Sequence, residues 1–275
     1  MALWGGRFAQ GPTGSVFALS RSVHFDWRLA PYDLRSSMAH LAILKKSELI
    51  AAKDADAINA ALKELATQVA DGSFAPIETD EDVHSALERG LTAKLGLVGG
   101  ALRAGRSRND QVTTDLRLFA IDHMLEVAAL ITDLNSAILK KASEYVNDSA
   151  PGFTHIQHAQ PVSFGHELAK HAHAFARDLD RINDWFKRTS VSSLGAGALA
   201  GSSLPLDPAR TAEDRDSLGP ARQASPAVHA AGTRPQRIFQ FDITRRALAC
   251  HQRLGDLVSG VSCRTRHAAA HRRFG

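Results

Sequence analysis

One uninterrupted segment constrains the fold of this chain more than any other feature. Residues 109–148 contain neither proline nor glycine, and their apolar residues recur at helical spacing along two rows. At a rise of about 1.5 Å per residue, about 40 residues form a rod about 60 Å long. One small domain cannot cover two apolar rows of that length, so the sequence predicts a helix bundle that is shared between subunits.

Other segments also have apolar residues spaced three and four apart, which is typical of helices. These segments are residues 31–50, 54–70, 80–96 and 163–188. Asp54 is expected to cap the second of them, and Gly96 is expected to end the third. No alternating, strand-like run of any length is apparent, so the predicted fold class is all-α.

The charge of the chain is divided unevenly. Residues 1–214 contain 22 Lys+Arg and 26 Asp+Glu, a net charge of −4. Residues 215–275 contain 11 Lys+Arg and 3 Asp+Glu, a net charge of +8, and the two parts together give the formal +4 of the whole chain. The high isoelectric point therefore comes from the last 61 residues, 215–275.

All eleven basic residues after position 214 are arginines, and this part can be interpreted in two ways. It is a basic arm that binds nucleic acid or another acidic partner, or it is the product of a GC-rich gene read out of frame. The abrupt change from TAED to RDSLGP favours the second interpretation. Residues 215–275 are therefore expected to be an atypical, largely disordered tail, and nucleic-acid binding is disfavoured.

Composition also indicates where the protein works. No apolar run approaches the roughly 18 residues that span a bilayer, and the N-terminus MALWGGRFAQ has no targeting pattern. Cys250 and Cys263 are the only cysteines and form neither a disulfide framework nor a metal-ligand pattern. A reducing cytoplasm and no membrane association are expected.

Polar, glycine-containing segments join the predicted helices, and such loops carry most functional residues in proteins. The segments are SRSVHFD at 20–26, ETDEDVHSALE at 78–88, GRSRND at 105–110, PGFTHIQHAQPVS at 151–163 and LGAGALAGSSLPLD at 194–207.

The segment GRSRND precedes the long helix. Ser107 or Asn109 can cap that helix, which leaves first-turn N–H groups beside Arg106 and Arg108. Forked guanidinium groups and free N–H groups together form a carboxylate or phosphate site. The plainer alternative is a capped helix with solvent-exposed arginines.

Two histidines are candidates for proton transfer near neutral pH. His155 follows Thr154 in a segment that its prolines keep extended, and His84 follows Glu81 and Asp82, whose charges favour the protonated imidazole. The other histidines do not share helix faces, so no metal site is predicted. The chain has neither GxGxxG nor GK[ST] in a nucleotide-binding context, so no cofactor is predicted.

Taken in order, LWGGRF, DEDVHSALE, GRSRNDQVTTDLRL, GFTHIQHAQP and LGAGALAGSSLPLD resemble the argininosuccinate lyase family of the aspartase/fumarase superfamily. The resemblance runs from about residue 3 to about residue 214. It implies a homotetrameric long-helix bundle that cleaves argininosuccinate reversibly to arginine and fumarate, in arginine biosynthesis, without a metal or an organic cofactor. The implied partner is this small-molecule substrate.

The resemblance also implies roles for particular residues. Motif match assigns substrate contacts to Ser22, Asn109 and Thr154, with Asp26 and Arg108 as supports. It assigns the acid/base role to His155, with His84 assisting.

The resemblance stops at Asp214. The family's third signature, GSSxMPxKxNP, supplies a serine, a lysine and an asparagine, and no counterpart follows Asp214. The expected organisation is an N-terminal helical domain over 1–108, the first part of a central bundle over 109–214, and the atypical tail.

A bundle that is incomplete at its C-terminus is expected to be impaired or inactive as a lyase. Two alternatives remain. One is a non-catalytic scaffold or assembly protein of the same fold, and the other is a related lyase that acts on another succinyl substrate.

Overall fold

Helices make up most of residues 13–206, which are the residues that the computed structural model describes. The α-helices are α1 (Gly14–Ser20), α2 (Val23–Asp26), α3 (Ala30–Lys46), α4 (Ala52–Ala70), α5 (Val83–Leu95), α6 (Leu97–Gly100), α7 (Arg108–Glu144) and α8 (Phe164–Thr189). The predicted all-α class is confirmed. Within residues 13–206, no helix combines the length and apolar composition that crossing a membrane requires.

The described residues fall into two compact units. The first contains residues 13–120 and 191–206, and the second contains residues 121–190. Helix α7 begins in the first unit and ends in the second. The domain limits at 108 and 214 stay a prediction, and the predicted tail at 215–275 lies outside the described residues.

Helices α3, α4 and α5 form the core of the first unit. Its largest fully buried apolar side chains are Leu34, Leu44, Ile58, Leu65 and Val83. Burial of each such side chain contributes roughly 1.5–3 kcal/mol, which explains why short and medium-length helices are stable here.

Of the two helix ends predicted from the sequence, one is confirmed and the other is wrong. Helix α5 ends at Gly96, whose φ of 58° is easily reached only by glycine. Helix α4 is capped by Ala51 rather than by Asp54, so the predicted cap is wrong. The helix starts earlier and Asp54 lies in its first turn, where a carboxylate stabilises the positive end of the helix dipole.

Small residues govern the packing of the second unit. Leu139 and Ala142 of α7 contact a row of alanines on α8, namely Ala169, Ala172 and Ala176. A second cluster follows along the same helices and contains the buried residues Ala128, Leu179, Ile182 and Phe186. Alanines bring two helix backbones close together, and larger side chains fill the space farther along.

A β-hairpin, absent from the prediction, joins α7 to α8. Strands β1 (Ser149–Thr154) and β2 (Gln157–Ser163) pair antiparallel, and Thr154 faces Gln157 across the turn. The segment was predicted to be extended but not to form strands. Both strands are largely exposed and pair Pro151 with Pro161. Neither strand has a buried residue, so the sequence lacks the apolar/polar alternation that reveals a half-buried strand.

Candidate functional site

The start of α5 holds two of the predicted site residues together. The hydroxyl of Ser22 donates to Oδ2 of Asp26 at 2.6 Å. Oδ1 of Asp26 accepts the backbone N–H of Val83 at 3.1 Å, and the N–H of Ser22 donates to the carbonyl of Glu81 at 2.8 Å. Burial raises the pKa of Asp26 above its ordinary value, although the Ser22 hydrogen bond opposes the shift.

Arg108, at the start of α7, is bound to carboxylates of this chain. Its Nη1 donates to both carboxylate oxygens of Asp82, at 2.6 and 2.8 Å, and its Nη2 donates to Glu88 at 3.3 Å. Asp82 is also the N-cap of α5 and accepts the backbone N–H of Ser85 at 2.7 Å. Arg108 therefore fastens α7 to α5 in this structure, and its guanidinium is not free for an anion.

Asn109 is exposed beside Arg108, and its backbone N–H donates to the hydroxyl of Ser107 at 3.3 Å. Ser107 thus acts as the cap at this helix start, which was one of two predicted possibilities. Arg106 donates from Nη1 to the hydroxyl of Ser37 at 2.9 Å.

His84 is buried and lies in a charged cluster. Its Nδ1 is 2.5 Å from Oδ2 of Asp33 and 3.9 Å from Oδ2 of Asp115. Burial lowers the pKa of His84, but the hydrogen bond and charge of Asp33 outweigh it, and the pKa is raised overall. Basicity from neighbouring carboxylates was predicted, but the sequence pointed to Glu81 and Asp82, whereas the bonded carboxylate is Asp33.

The pKa values of the two buried carboxyl groups of the cluster, Asp33 and Asp115, are shifted in opposite directions. Burial and the charge of Asp33 raise the pKa of Asp115. Burial also acts to raise the pKa of Asp33, but His84, Arg106 and the Ser37 hydroxyl lower it overall. The low dielectric of the interior accounts for these opposite shifts, because ionising two neighbouring buried carboxyl groups costs much more free energy than ionising one.

Asp33, His84 and Asp115 each offer one possible metal-ligand atom. These atoms all lie within 4.8 Å of one another, close enough to surround a cation. Their surroundings favour charge pairing instead. Asp33 already accepts hydrogen bonds from His84, from Ser37 and from Gln111, and the positive charge of Arg106 lowers its pKa. The sequence predicted no metal, and that stays a prediction.

An open pocket lies in the first unit, beside the starts of α5 and α7. Its polar and charged lining residues are Asp33, Ser37, His84, Glu88, Arg103, Arg106, Ser107, Arg108 and Gln111. Arg106 and the nearby start of α7 are the parts of this lining that suit an anionic ligand, because Arg108 is already bound to Asp82 and Glu88.

Thr154 and His155 belong to the second unit, where both are exposed at the hairpin turn. His155 and Ile156 have φ angles of 50° and 63°, in the left-handed region. Within the first unit, Ser22 and Asp26 are bonded to each other, His84 and Arg108 line one pocket, and Asn109 is exposed next to Arg108. The roles predicted for all seven residues stay predictions.

Comparison with known proteins identifies the family. A family model described as lyase matches residues 11–251, most of the chain. The chain belongs to this lyase family. Similar lyases include the argininosuccinate lyase of Frankia casuarinae, 60% identical over 208 residues, which are 76% of this chain and 45% of that protein.

Two further argininosuccinate lyases match this chain to a similar extent. The argininosuccinate lyase of Acidothermus cellulolyticus is 53% identical over 82% of this chain and 46% of its own length. That of Mycobacterium avium is 50% identical over 85% of this chain and 49% of its own length. The resemblance inferred from the motifs is confirmed, and this lyase chain spans about half the length of the curated relatives it matches.

Solved lyase structures agree with the fold. EDDS lyase in complex with formate is 27% identical, with a TM-score of 0.61, over 71% of this chain and 38% of that chain. A class II fumarase from Schistosoma mansoni is 19% identical, with a TM-score of 0.59, over 84% of this chain and 55% of that chain. The second likeness concerns the fold alone.

Several polar residues of this lyase escaped the sequence analysis, above all Asp33 and Gln111, which line the pocket, and Asp115, which is buried next to His84. A signal for the first of them was present. In PYDLRSSMAHL, Asp33, Ser37 and His40 recur at spacings of four and three, so they share one face of a helix whose other residues are largely apolar. A polar row on a helix that must be buried indicates an internal hydrogen-bond network.

Proposed function

We propose that this chain carries part of an argininosuccinate lyase, which cleaves argininosuccinate reversibly to L-arginine and fumarate in arginine biosynthesis. The observation that supports this most strongly is the pocket at the start of α7. It combines His84, Arg106 and Arg108 in a chain that is 60% identical to an argininosuccinate lyase.

The reaction is a β-elimination. A base removes the proton from the carbon next to a carboxylate, and the resulting negative charge spreads into that carboxylate, which requires preorganised hydrogen-bond donors. The carbon–nitrogen bond then breaks, the carbon–carbon double bond of fumarate forms, and an acid protonates the departing guanidino nitrogen to give arginine. We assign one of these proton transfers to His155, with His84 assisting.

Ser22, Asn109 and Thr154 are proposed to contact the substrate. The contacts of Arg108 with Asp82 and Glu88 support a different task for this arginine, since they hold the start of α7 against α5. Asp26 has a similar supporting position because it joins Ser22 to the start of α5.

The proposed assembly is a cytoplasmic homotetramer that requires neither a metal nor an organic cofactor. Support for subunit packing comes from apolar side chains of α7 that remain exposed in the single chain, with exposed fractions of 55% for Leu116, 69% for Leu130 and 46% for Leu134. Exposed apolar rows of this kind typically mark protein–protein contacts.

Two other functions remain in competition. The 275 residues contain no GSSxMPxKxNP segment after Asp214, so this chain alone is expected to turn over argininosuccinate poorly, and a non-catalytic scaffold of the same fold is one alternative. The likeness to EDDS lyase supports the other, which is a lyase for a different succinyl compound.

A chimeric enzyme tests the proposal. Residues 1–206 of this chain would be joined to the matching remainder of the Frankia casuarinae enzyme, and fumarate release would be measured with argininosuccinate, adenylosuccinate and ethylenediaminedisuccinate. We expect turnover of argininosuccinate and loss of about 100- to 10,000-fold in kcat with His155→Asn. Preference for another succinyl compound, or an active His155→Asn variant, would contradict the proposal.

A further inference from the structure

The buried cluster of His84, Asp33 and Asp115 combines one base with two carboxyl groups. The exposed fractions are 6% for His84, 3% for Asp33 and 0% for Asp115. Asp33 is in α3, His84 is in α5 and Asp115 is in α7, so the cluster joins three helices of the first unit. A buried charge is stable only when it is paired and hydrogen-bonded.

The two carboxyl groups differ in the donors that reach them. Oδ1 of Asp33 accepts the Ser37 hydroxyl at 2.8 Å, and its Oδ2 accepts Gln111 Nε2 at 2.9 Å as well as His84 Nδ1. Neither buried oxygen of Asp115 has a hydrogen bond of ordinary geometry, and the nearby Ser36 hydroxyl only partly offsets the effect of burial, which raises the pKa of Asp115. Charge-assisted hydrogen bonds stabilise the ionised form of a carboxyl group, so Asp33 is built to carry a negative charge and Asp115 is not.

Charged and titratable groups from every neighbouring element act on this cluster. They are Asp26 in α2, Asp33 in α3, Asp82 and His84 around the start of α5, Arg106 and Arg108 before and at the start of α7, and Asp110 and Asp115 within α7. Burial and the charge of Asp33 both act to keep the proton on Asp115. Burial acts to lower the pKa of His84, but the hydrogen bond and charge of Asp33 raise it overall.

The bond to Asp33 fixes the imidazole of His84 through one nitrogen. Nδ1 is occupied, and His84 is also a lining residue of the open pocket beside Arg106 and Arg108. The nitrogen left for a ligand is Nε2. Which nitrogen of a histidine is used is commonly set by the hydrogen bond that the other nitrogen makes.

We propose that Asp33 is a positioning residue, which holds His84 as an imidazolium through Nδ1 and directs Nε2–H to the pocket as a hydrogen-bond donor, while Asp115 is the neutral acid of the cluster. This inference rests on the proposed function for one point only, the group that accepts the hydrogen bond from Nε2–H, which is a carboxylate of the substrate. A donor preorganised in this way stabilises negative charge that develops on a bound carboxylate.

Nuclear magnetic resonance of the 275-residue chain labelled with ¹⁵N-histidine tests this without any substrate. Long-range ¹H–¹⁵N spectra distinguish an imidazolium, with two protonated nitrogens, from either neutral tautomer. His84→Gln assigns the signal. We expect His84 to be an imidazolium at pH 7, where an ordinary histidine is mostly neutral. A neutral His84, or one whose bare nitrogen is Nδ1, would overturn the proposal.

Three variants then separate the roles of the two carboxyl groups. Asp33→Asn should make His84 neutral at pH 7, and Asp33→Glu should restore part of the imidazolium signal. Asp115→Asn has the same change of shape and should leave His84 protonated. Loss of the imidazolium signal in Asp115→Asn would identify Asp115 as the counter-ion and refute the assignment.

Zinc ions provide a further check. Addition of equimolar Zn²⁺ should leave the His84 signals unchanged, and a stoichiometric shift of its Nδ1 would instead reveal a metal site. These measurements are made without substrate. If the chimera lacked lyase activity, the proposed function would therefore be refuted, while the role of Asp33 in orienting His84 would still be tested by the spectra.

Discussion

Asp110 accepts the backbone N–H of Gly197 at 2.8 Å, across 87 positions of sequence. The same oxygen, Oδ2, accepts the N–H of Gly195 at 3.0 Å, and Oδ1 accepts the N–H of Ser107 at 3.1 Å. Asp110 therefore binds the glycine-rich segment 194–201 to the start of α7. The φ of 62° at Gly197 and the 2.8 Å between a Cβ there and the carbonyl oxygen of Gly201 explain the need for glycine.

Asp110→Asn should destabilise the chain. An amide nitrogen in place of one carboxylate oxygen cannot accept an N–H, so at least one partly buried donor loses its partner, at a cost of about 1 kcal/mol. The free energy of unfolding in urea measures the effect. Asp133→Asn, an exposed position on the same helix, is the control and should stay within about 0.5 kcal/mol of the parent. Equal stability of both variants would contradict the anchoring role.

His40 should make the chain sensitive to acid. It is buried, and its Nε2–H donates to the carbonyl of Ala104 at 2.9 Å. Burial and the charge of Arg106 lower the pKa of His40 to about 4 from an ordinary 6.5. Below pH 6.5 the unfolded chain takes up a proton that the folded chain does not, so stability falls as the pH decreases from about 6.5 to about 4.

The loss over this window should reach about 3 kcal/mol, at about 1.4 kcal/mol for each unit of pKa difference. Urea unfolding at a series of pH values measures it. His40→Gln keeps an N–H donor and cannot titrate, so its stability should depend less on pH across the same window. A variant with the same slope as the parent would assign the acid sensitivity to other groups.

Gly165→Ala should disturb the packing of α8 against the end of α7. A Cβ at Gly165 would lie 2.3 Å from the backbone oxygen of Ala142 and 2.9 Å from Cα of Val146. Backbone atoms cannot move aside cheaply, and overpacking of this kind typically costs about 1–3 kcal/mol. Thermal unfolding compares it with Gly14→Ala, where no atom lies within 4 Å. Similar midpoints for the two variants would show that the helices separate without penalty.

The sequence was most informative where a signal is local. Helix α7 and the end of α5 at Gly96 follow from periodicity and from a glycine in a left-handed conformation. The sequence pointed to Glu81 and Asp82 beside His84, and the charge of Asp82 does act to raise the pKa of His84. The hydrogen-bonded carboxylate, Asp33, was missed because it lies 51 positions away and a contact between helices leaves no mark on spacing within either. The hairpin escaped prediction because its strands bury little on either face.

The turn of that hairpin yields the last prediction. Ile156 is 97% exposed and has a φ of 63°, although a β-branched side chain in the left-handed region is strained. The left-handed conformation costs an ordinary residue roughly 1–2 kcal/mol, and Asn and Gly avoid much of this cost. Ile156→Gly should therefore stabilise the hairpin by about 1 kcal/mol, seen as slower amide hydrogen exchange in β1 and β2.

Ile156→Val is the matched control for this turn. Valine keeps the branch at Cβ and the strain while it removes one methylene group from an exposed position, so its exchange rates should equal those of the parent. Faster exchange in Ile156→Gly would mean that the left-handed turn is not strained, and that the added freedom of glycine in the unfolded chain dominates. Because His155 is the neighbouring residue of the turn, slower exchange would also mean a better-ordered imidazole. In the chimera, Ile156→Gly should then retain argininosuccinate turnover, whereas His155→Asn should lose it.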